Sequence, residues 1–432
     1  MSCWISVAVQ TPAHSSVAGP LTYRSELPLA PGTLVRAPLG AREVLGIVWA
    51  PADGPPDGRA EDATRPIAGV LEGLTPLSGA WRELVAFAAG YYQRALGELA
   101  LAALPPQLRE LSSIQLARRL KASAGKPQGL SAGKATEISP DFVALSDQQT
   151  LALAEFDSKS GPFLLFGATG SGKTEVYLHA VASLLARDAH AQALVMVPEI
   201  NLTPQLEARF RARFAPRYGD GSVVSMHSGM TPPQRLKSWL AAHSGAARIV
   251  LGTRMAVFAS MPGLKLIVVD EEHDPSYKQQ EGARYSARDL AVYRGRLDGA
   301  KVLLGSATPS LESWHHSRPP TADDAGGRYT RLVMPGRIGD AAFPKVRRVD
   351  MNHQPARTVF SAPLLDAIRA RIAHGEQAMV FLNRRGYAPV LHCADCGWKS
   401  ECPHCSAYRV FHKVDRTLRC HHCGFTQRVP RA

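Results

Sequence analysis

The chain opens with short apolar runs broken by glycine and proline: Trp4 to Val9, Thr33 to Arg36, Val44 to Trp49 and Ile67 to Leu71. Runs of this length between turn formers predict strands. Trp81 to Leu101 is longer, with charges spaced through it, and predicts one helix. It should stop before Pro105-Pro106, because a residue preceding proline disfavours helical backbone. Residues 1–106 therefore read as a small β-rich domain. Residues 121–141 (KASAGKPQGLSAGKATEISPD) have loop composition, and 107–144 as a whole reads as a basic linker.

From 145 the pattern changes. Phe163 to Phe166, Ala193 to Val197, Arg248 to Leu251, Leu266 to Val269 and Val302 to Leu304 are apolar runs. Amphipathic stretches such as Glu175 to Ala186 and Pro204 to Phe214 separate them. This alternation predicts an α/β fold, a parallel sheet with helices on both faces. A helix near Pro363 to Ala373 and a strand over Ala378 to Leu382 should follow.

Composition narrows the partners. Of 432 residues, 50 are Lys or Arg and 37 Asp or Glu, a net charge of +13. Residues 1–106 are slightly acidic, so the surplus lies beyond them and favours a polyanion. No basic leader precedes Arg24, and charges interrupt the apolar stretch Trp81 to Leu104. A secretory signal and a membrane span are therefore not expected, and a cytoplasmic protein is. Six of the seven cysteines fall between Cys393 and Cys423, which suits a metal site in a reducing compartment.

GATGSGKT, Gly167 to Thr174, follows an apolar run and precedes a helical stretch, the setting a G-x-x-x-x-G-K-[ST] phosphate loop requires. Gly167, Gly170 and Gly172 allow tight turns, and backbone N–H groups of Ala168, Thr169 and Ser171 join them in lining a polyphosphate site. Lys173 is expected to reach the β and γ phosphates and Thr174 to ligate Mg²⁺. About a hundred residues on, the strand Leu266 to Val269 delivers Asp270-Glu271-Glu272-His273. An acidic cluster alone is usually a solvated turn. After a phosphate loop at this distance, Asp270 is expected to partner Mg²⁺ and Glu271 to orient and deprotonate water.

The cysteines are spaced Cys393-x2-Cys396-x5-Cys402-x2-Cys405-x14-Cys420-x2-Cys423. Two C-x-x-C pairs separated by fourteen residues match a tetrahedral Zn²⁺ site, assigned to Cys402, Cys405, Cys420 and Cys423. Cys393 and Cys396 form a half-site, and His404, His421 and His422 are either substitute ligands or solvated neighbours. No βαβ context supports a redox C-x-x-C.

DEEH and GSAT (Gly305 to Thr308) resemble motifs II and III of superfamily 2 helicases. VMVPEINLTPQ (Val195 to Gln205), HSGM (His227 to Met230), GTRMAVF (Gly252 to Phe258), DEEHDPSYKQQEGARYSARDLAVYR (Asp270 to Arg294), FLNRRGYAP (Phe381 to Pro389) and the cysteine cluster resemble more closely the primosomal protein N′ (PriA) family of replication-restart helicases. The resemblance implies a RecA-like P-loop NTPase sheet at 145–318, the start of a second helicase lobe at 319–392, and an incomplete zinc-binding segment at 393–432. It implies that Gln149 reads adenine, so that the nucleotide is ATP. It implies that Thr253, Arg254 and the HSG turn touch single-stranded DNA. It also places Tyr277, Lys278, Arg284 and Tyr285 in an aromatic-rich loop that couples DNA to hydrolysis, and rings beside cations do suit bases and phosphates. Residues 1–106 would bind a DNA 3′ end, with Tyr23 and Gly40 in that pocket, although Arg24 stands where the family often has an acid. The task implied is 3′→5′ unwinding at stalled or abandoned forks and primosome assembly, with primosome proteins and single-strand-binding protein as partners.

Two departures shape the expectation. The linker is too short for the family's winged helix, and the late motifs that supply an arginine to the γ-phosphate are absent. The G-R-x-G at Gly336 to Gly339 comes before the FLNRRGYAP motif, in the wrong order. The chain thus reads as the front part of a longer motor, binding ATP with little hydrolysis. The alternative is a DNA-binding and primosome-interaction module without motor activity.

Overall fold

The computed structural model describes residues 3–11, 19–55, 64–111, 115–116, 118–119, 143–198, 203–339, 344–355, 358–381, 390–393, 396–404, 407–421 and 423–429. Most of the expected linker, Glu199 to Leu202, most of FLNRRGYAP, Cys405 and His422 lie outside them. The chain divides into two compact units, 1–342 and 343–432.

The first unit begins with β1 (Cys3–Val9), β2 (Leu21–Ser25), β3 (Leu34–Leu39), β4 (Arg42–Ala52) and β5 (Gly69–Val70). They form one antiparallel sheet in the order β2-β1-β4-β3-β5. Strand β2, LTYRS, is too polar to announce itself by pattern. It forms because it can pair along β1, from Cys3 opposite Ser25 to Val7 opposite Leu21. Ile5, Val7, Tyr23, Val35 and Val48 pack together in this sheet.

The single helix expected over Trp81 to Leu101 is two: α1 (Gly79–Tyr91) and α2 (Leu96–Ala102). The break carries Gln93 at φ +54°. It turns the chain so that α2 lies on β1, where a Cβ on Gly97 would come 1.8 Å from the Val9 carbonyl oxygen. Only glycine fits so close an approach. The expected linker also starts later than residue 107. Leu108 and Leu116 are buried, and Arg36 donates to the carbonyls of Leu108 and Leu111, holding that turn on β3.

The second sheet joins β6 (Phe163–Gly167), β7 (Gln192–Met196), β8 (Val223–Met226), β9 (Ile249–Gly252), β10 (Leu264–Val269), β11 (Lys301–Ser306) and β12 (Thr330–Met334). Its order is β12-β6-β11-β10-β7-β9-β8, parallel at every pairing. This is the expected parallel α/β sheet. Alternate residues serve opposite faces, as pleating requires. Leu266 and Val268 pack with α3 (Asp147–Ser158), α4 (Lys173–Arg187) and α5 (Thr203–Tyr218). Ile267 and Val269 join a core with α6 (Pro232–His243), α7 (Ala287–Asp298) and α1. Trp81 of α1 is buried there and donates to the Phe258 carbonyl at 2.8 Å. Helix α1 is thus built into the parallel sheet's packing as one of its covering helices.

Strand β12 corrects the boundary expected at 318/319. Thr330 to Met334 pairs with β6 along its whole length, so residues 319–339 complete the first sheet before the second unit begins. A short helix, α8 (Leu311–His316), precedes it.

In the second unit α9 (Ala362–Ala373) forms as expected. The strand expected from Ala378 does not: described residues 377–381 have no regular structure, and Met379 and Phe381 are exposed. An apolar run needs a paired neighbour to become a strand. The C-terminal region is an antiparallel meander of β13 (Val410–His412), β14 (Thr417–Arg419) and β15 (Thr426–Arg428). Among the described residues no helix is long and apolar enough to cross a membrane.

Candidate functional site

Strand β6 ends at Gly167 and α4 starts at Lys173, so the phosphate loop sits at the C-terminal edge of the sheet, where α/β folds place ligands. Gly170 and Gly172 have φ +84° and +78°, a region costly for other residues. Gly172 caps α4 with no side-chain hydrogen bond. The helix N-terminus is therefore left to an anion. The Ser171 hydroxyl is buried without a hydrogen-bond partner. Lys173 Nζ donates to the Gly167 carbonyl at 3.0 Å, folded back over the loop. Ala168 and Thr169 lie in the turn between β6 and α4, and Thr174 is the second residue of α4.

Gln149 has a different employment from the expected one. It is buried; its Oε1 accepts from the Ser146 backbone, and its Nε2 donates to the carbonyls of Gly172 at 3.2 Å and Ser171 at 3.4 Å. The amide closes the capping box of α3 and braces the loop. Both Nε2 hydrogens are committed to these carbonyls, whereas Oε1 keeps a second lone pair.

Strand β10 delivers Asp270 one strand beyond β11, the neighbour of β6. Burial first, then the adjacent Glu271, push the Asp270 carboxyl above its ordinary range; the Tyr177 hydroxyl and the Lys173 charge pull it back. Tyr177 on α4 donates to Asp270 Oδ1 at 3.0 Å, and Tyr277 donates to the Asp270 carbonyl at 2.7 Å. Glu271 has φ +44°, an uncommon conformation for a residue with a side chain, of the kind that recurs at functional sites. His273 meets Ser306 of the GSAT segment, Nδ1 to Oγ 2.7 Å.

Sequence reasoning gave Glu272 no role. Its side chain is fully buried and accepts from the Ser310 N–H and hydroxyl, the Ser313 hydroxyl and Arg288. It ties the acidic turn to α8 and to the start of α7. Tyr177 was likewise missed. Nothing in a lone tyrosine on a helix signals that it will sit beneath a carboxylate ninety-three positions on.

The expected DNA-contact residues divide. Thr253, Tyr277 and Tyr285 are buried, at 8%, 2% and 8% exposure, so they do not present surfaces for bases. Tyr277 is held under Asp270, and Tyr285 packs edge-on to Phe258, with its phenol pushed up to about 12 by burial. Their rings anchor the loop because burying an aromatic face outweighs exposing it. Arg254 is also committed, donating to the carbonyls of Ser276 at 2.8 Å and Lys278 at 3.2 Å. Lys278 and Arg284 remain exposed. The loop leans on the N-terminal region: Lys278 Nζ lies 5.2 Å from the Tyr92 ring, the Tyr92 hydroxyl accepts from the Ser286 N–H, and Arg94 donates to the Gly282 carbonyl.

In the second unit the thiols of Cys402, Cys420 and Cys423 lie within 4.8 Å of one another, the one such group among the described residues. Gly424 N–H donates to the Cys420 carbonyl, and Gly397 N–H to the Cys393 carbonyl, each with glycine at positive φ. Gly397 and Gly424 thus make the same backbone bond to Cys393 and Cys420, although Cys393 and Cys396 belong to no described cluster.

Three family models match the chain: a DEAD/DEAH box helicase over 146–316, a PriA 3′ DNA-binding domain over 6–105, and a PriA DNA helicase Cys-rich region over 402–428. The chain is similar to the replication restart protein PriA of Haemophilus influenzae, 43% identical over 67% of this chain and 38% of that protein. Similarity to the Bacillus subtilis protein of that name is 41% over 62% and 32%. Similarity to the Rickettsia conorii protein is 34% over 95% and 59%. The chain thus spans 38%, 32% and 59% of the length of these three relatives, less than two thirds of each.

Proposed function

The chain belongs to the replication restart protein PriA family, and from that premise we propose that it is an ATP-dependent DNA helicase component acting at stalled or abandoned forks, with 3′→5′ polarity and primosome assembly as its task. The observation that carries this reading is the pairing of a phosphate loop with a buried carboxylate, in a chain that also matches PriA-type 3′-end and cysteine-rich models. The uncapped α4 terminus, the orphaned Ser171 hydroxyl and the positive-φ glycines suit a nucleoside triphosphate.

Gly167 to Thr174 would cradle the phosphates of ATP, with Lys173 turning from the Gly167 carbonyl to the phosphate chain. Thr174 and Asp270 are the residues to hold Mg²⁺, which supplies charge neutralisation when bound. Glu271 orients the attacking water and takes its proton. Residues 1–106 bind a DNA 3′ end, and Lys278 and Arg284 meet the phosphate backbone. Cys402, Cys420 and Cys423 with Cys405 hold Zn²⁺. Primosome proteins and single-strand-binding protein are the proposed partners, and the cytoplasm the compartment.

DNA-stimulated ATP hydrolysis by the 432-residue chain tests the proposal. Acceleration of a low basal rate by 3′-ended forked DNA over blunt duplex is the expected result. ATP binding without any response to DNA would favour the non-motor module instead.

Tyr177 gives a second test. Tyr177→Phe removes a hydrogen-bond donor from the Asp270 carboxylate and so raises its pKa further. As pH falls through that pKa, the carboxylate gains a proton and loses its charge for Mg²⁺. Mg²⁺-dependent nucleotide binding should therefore be lost at higher pH in the variant than in the wild type. Superimposable pH profiles would remove Tyr177 from the site.

A further inference from the structure

The G-R-x-G motif stands in the wrong place in sequence for a helicase's late arginine, yet the fold carries it to the phosphate loop. Strand β12 runs beside β6, and the Met334 carbonyl accepts from the Ala168 N–H at 3.1 Å. The chain then crosses the loop. Gly336 N–H donates to Gln148 Oε1 at 3.0 Å, and Ile338 N–H donates to the Gly170 carbonyl at 3.0 Å. A Cβ placed on Gly172 would come 2.5 Å from Ile338 Cδ1, and one on Gly170 would lie 3.9 Å from Arg337 Cγ.

We propose that Arg337, in the segment that follows β12, is a phosphate ligand of the nucleotide. This inference rests on the reading of Gly167 to Thr174 as a nucleotide site. Backbone bonds on both sides fix residues 336–338 over the loop, so the side chain between them starts from a defined place. Its Cγ lies beside the second glycine, and a guanidinium extends far enough from there to reach a phosphate chain. The planar fork suits phosphate oxygens, and the long stem tolerates half-burial. In phosphoryl-transfer enzymes that carry their arginine in cis, such a group offsets charge on the phosphates. Here it would add a second cation to Lys173.

The test uses the full chain and calorimetric titration with ATP and with inorganic tripolyphosphate, each with Mg²⁺. Arg337→Ala and Arg337→Gln should bind both about ten-fold or more weakly, as expected for loss of a charged hydrogen bond. Arg337→Lys should recover part of the affinity. Wild-type affinity in Arg337→Gln, which keeps most of the stem, would overturn the proposal. Weakened ATP binding with unchanged tripolyphosphate binding would overturn it too, by moving the contact to ribose or base. Failure of the wild-type chain to bind either ligand would instead refute the nucleotide site itself. Thermal melts of each variant separate lost binding from lost folding, and Arg337→Lys binding like Arg337→Ala in a folded protein would count against a charge contact.

Discussion

Lys173→Ala is expected to abolish measurable ATP binding while leaving the fold intact. Lys173 Nζ donates to the Gly167 carbonyl, and its side chain is half-buried. Truncation therefore removes no core packing. With nucleotide bound, the same ammonium would face the phosphate chain inside a loop whose other donors are backbone N–H groups. Each charged hydrogen bond is worth about 1.5–3 kcal/mol, and two phosphate contacts correspond to a loss on the order of a hundred-fold or more. Fluorescent-nucleotide titration with a thermal melt on the same sample checks both halves. Retained affinity would show that the loop binds something other than a polyphosphate.

Gly172→Ala should fail for another reason. Its φ of +78° disfavours any side chain, and a Cβ would lie 2.4 Å from the Gln149 amide nitrogen. That substitution would deform the loop, so lysine is the cleaner probe of chemistry.

The periodicity exposed the central strands because both faces of a parallel sheet are buried, which writes continuous apolar runs. Strands β8 and β12 escaped because they are the sheet edges, where VVSM and TRLVM mix polar with apolar positions. The cost of missing β12 was functional: without it, Gly336 to Gly339 looked displaced, and only the pairing of β12 with β6 brings Arg337 to the phosphate loop. Motif spacing drew attention to Lys173 and Asp270, which the fold sets at the start of α4 after β6 and at the end of β10. It misjudged Tyr277, Tyr285 and Arg254 because residue type does not say whether a ring faces solvent or the core. Arg254 looks basic in sequence, but its guanidinium serves two carbonyls of the neighbouring loop.

The metal site should decide whether the C-terminal ribbon folds at all. Strands β13, β14 and β15 have three residues each, and Val410 and Leu418 are the buried aliphatic side chains among the described residues from 390 to 429. So small a core cannot offset the entropy of ordering the chain. Structural zinc in small domains contributes about 10–16 kcal/mol of apparent binding free energy, which becomes folding free energy when the apo segment is unfolded. Cys420 is 1% exposed, at the end of β14, with its thiol in the cluster with Cys402 and Cys423. Cys420→Ser should therefore yield protein lacking its zinc, cut by protease between residues 390 and 429, with ATP affinity unchanged because the phosphate loop belongs to the other compact unit. Cys393→Ser should keep its zinc, since Cys393 lies outside the described cluster. Zinc content by atomic emission and limited proteolysis on the two variants make the comparison. Full zinc occupancy in Cys420→Ser, or its loss in Cys393→Ser, would mean that the ligand set is drawn from the other knuckle.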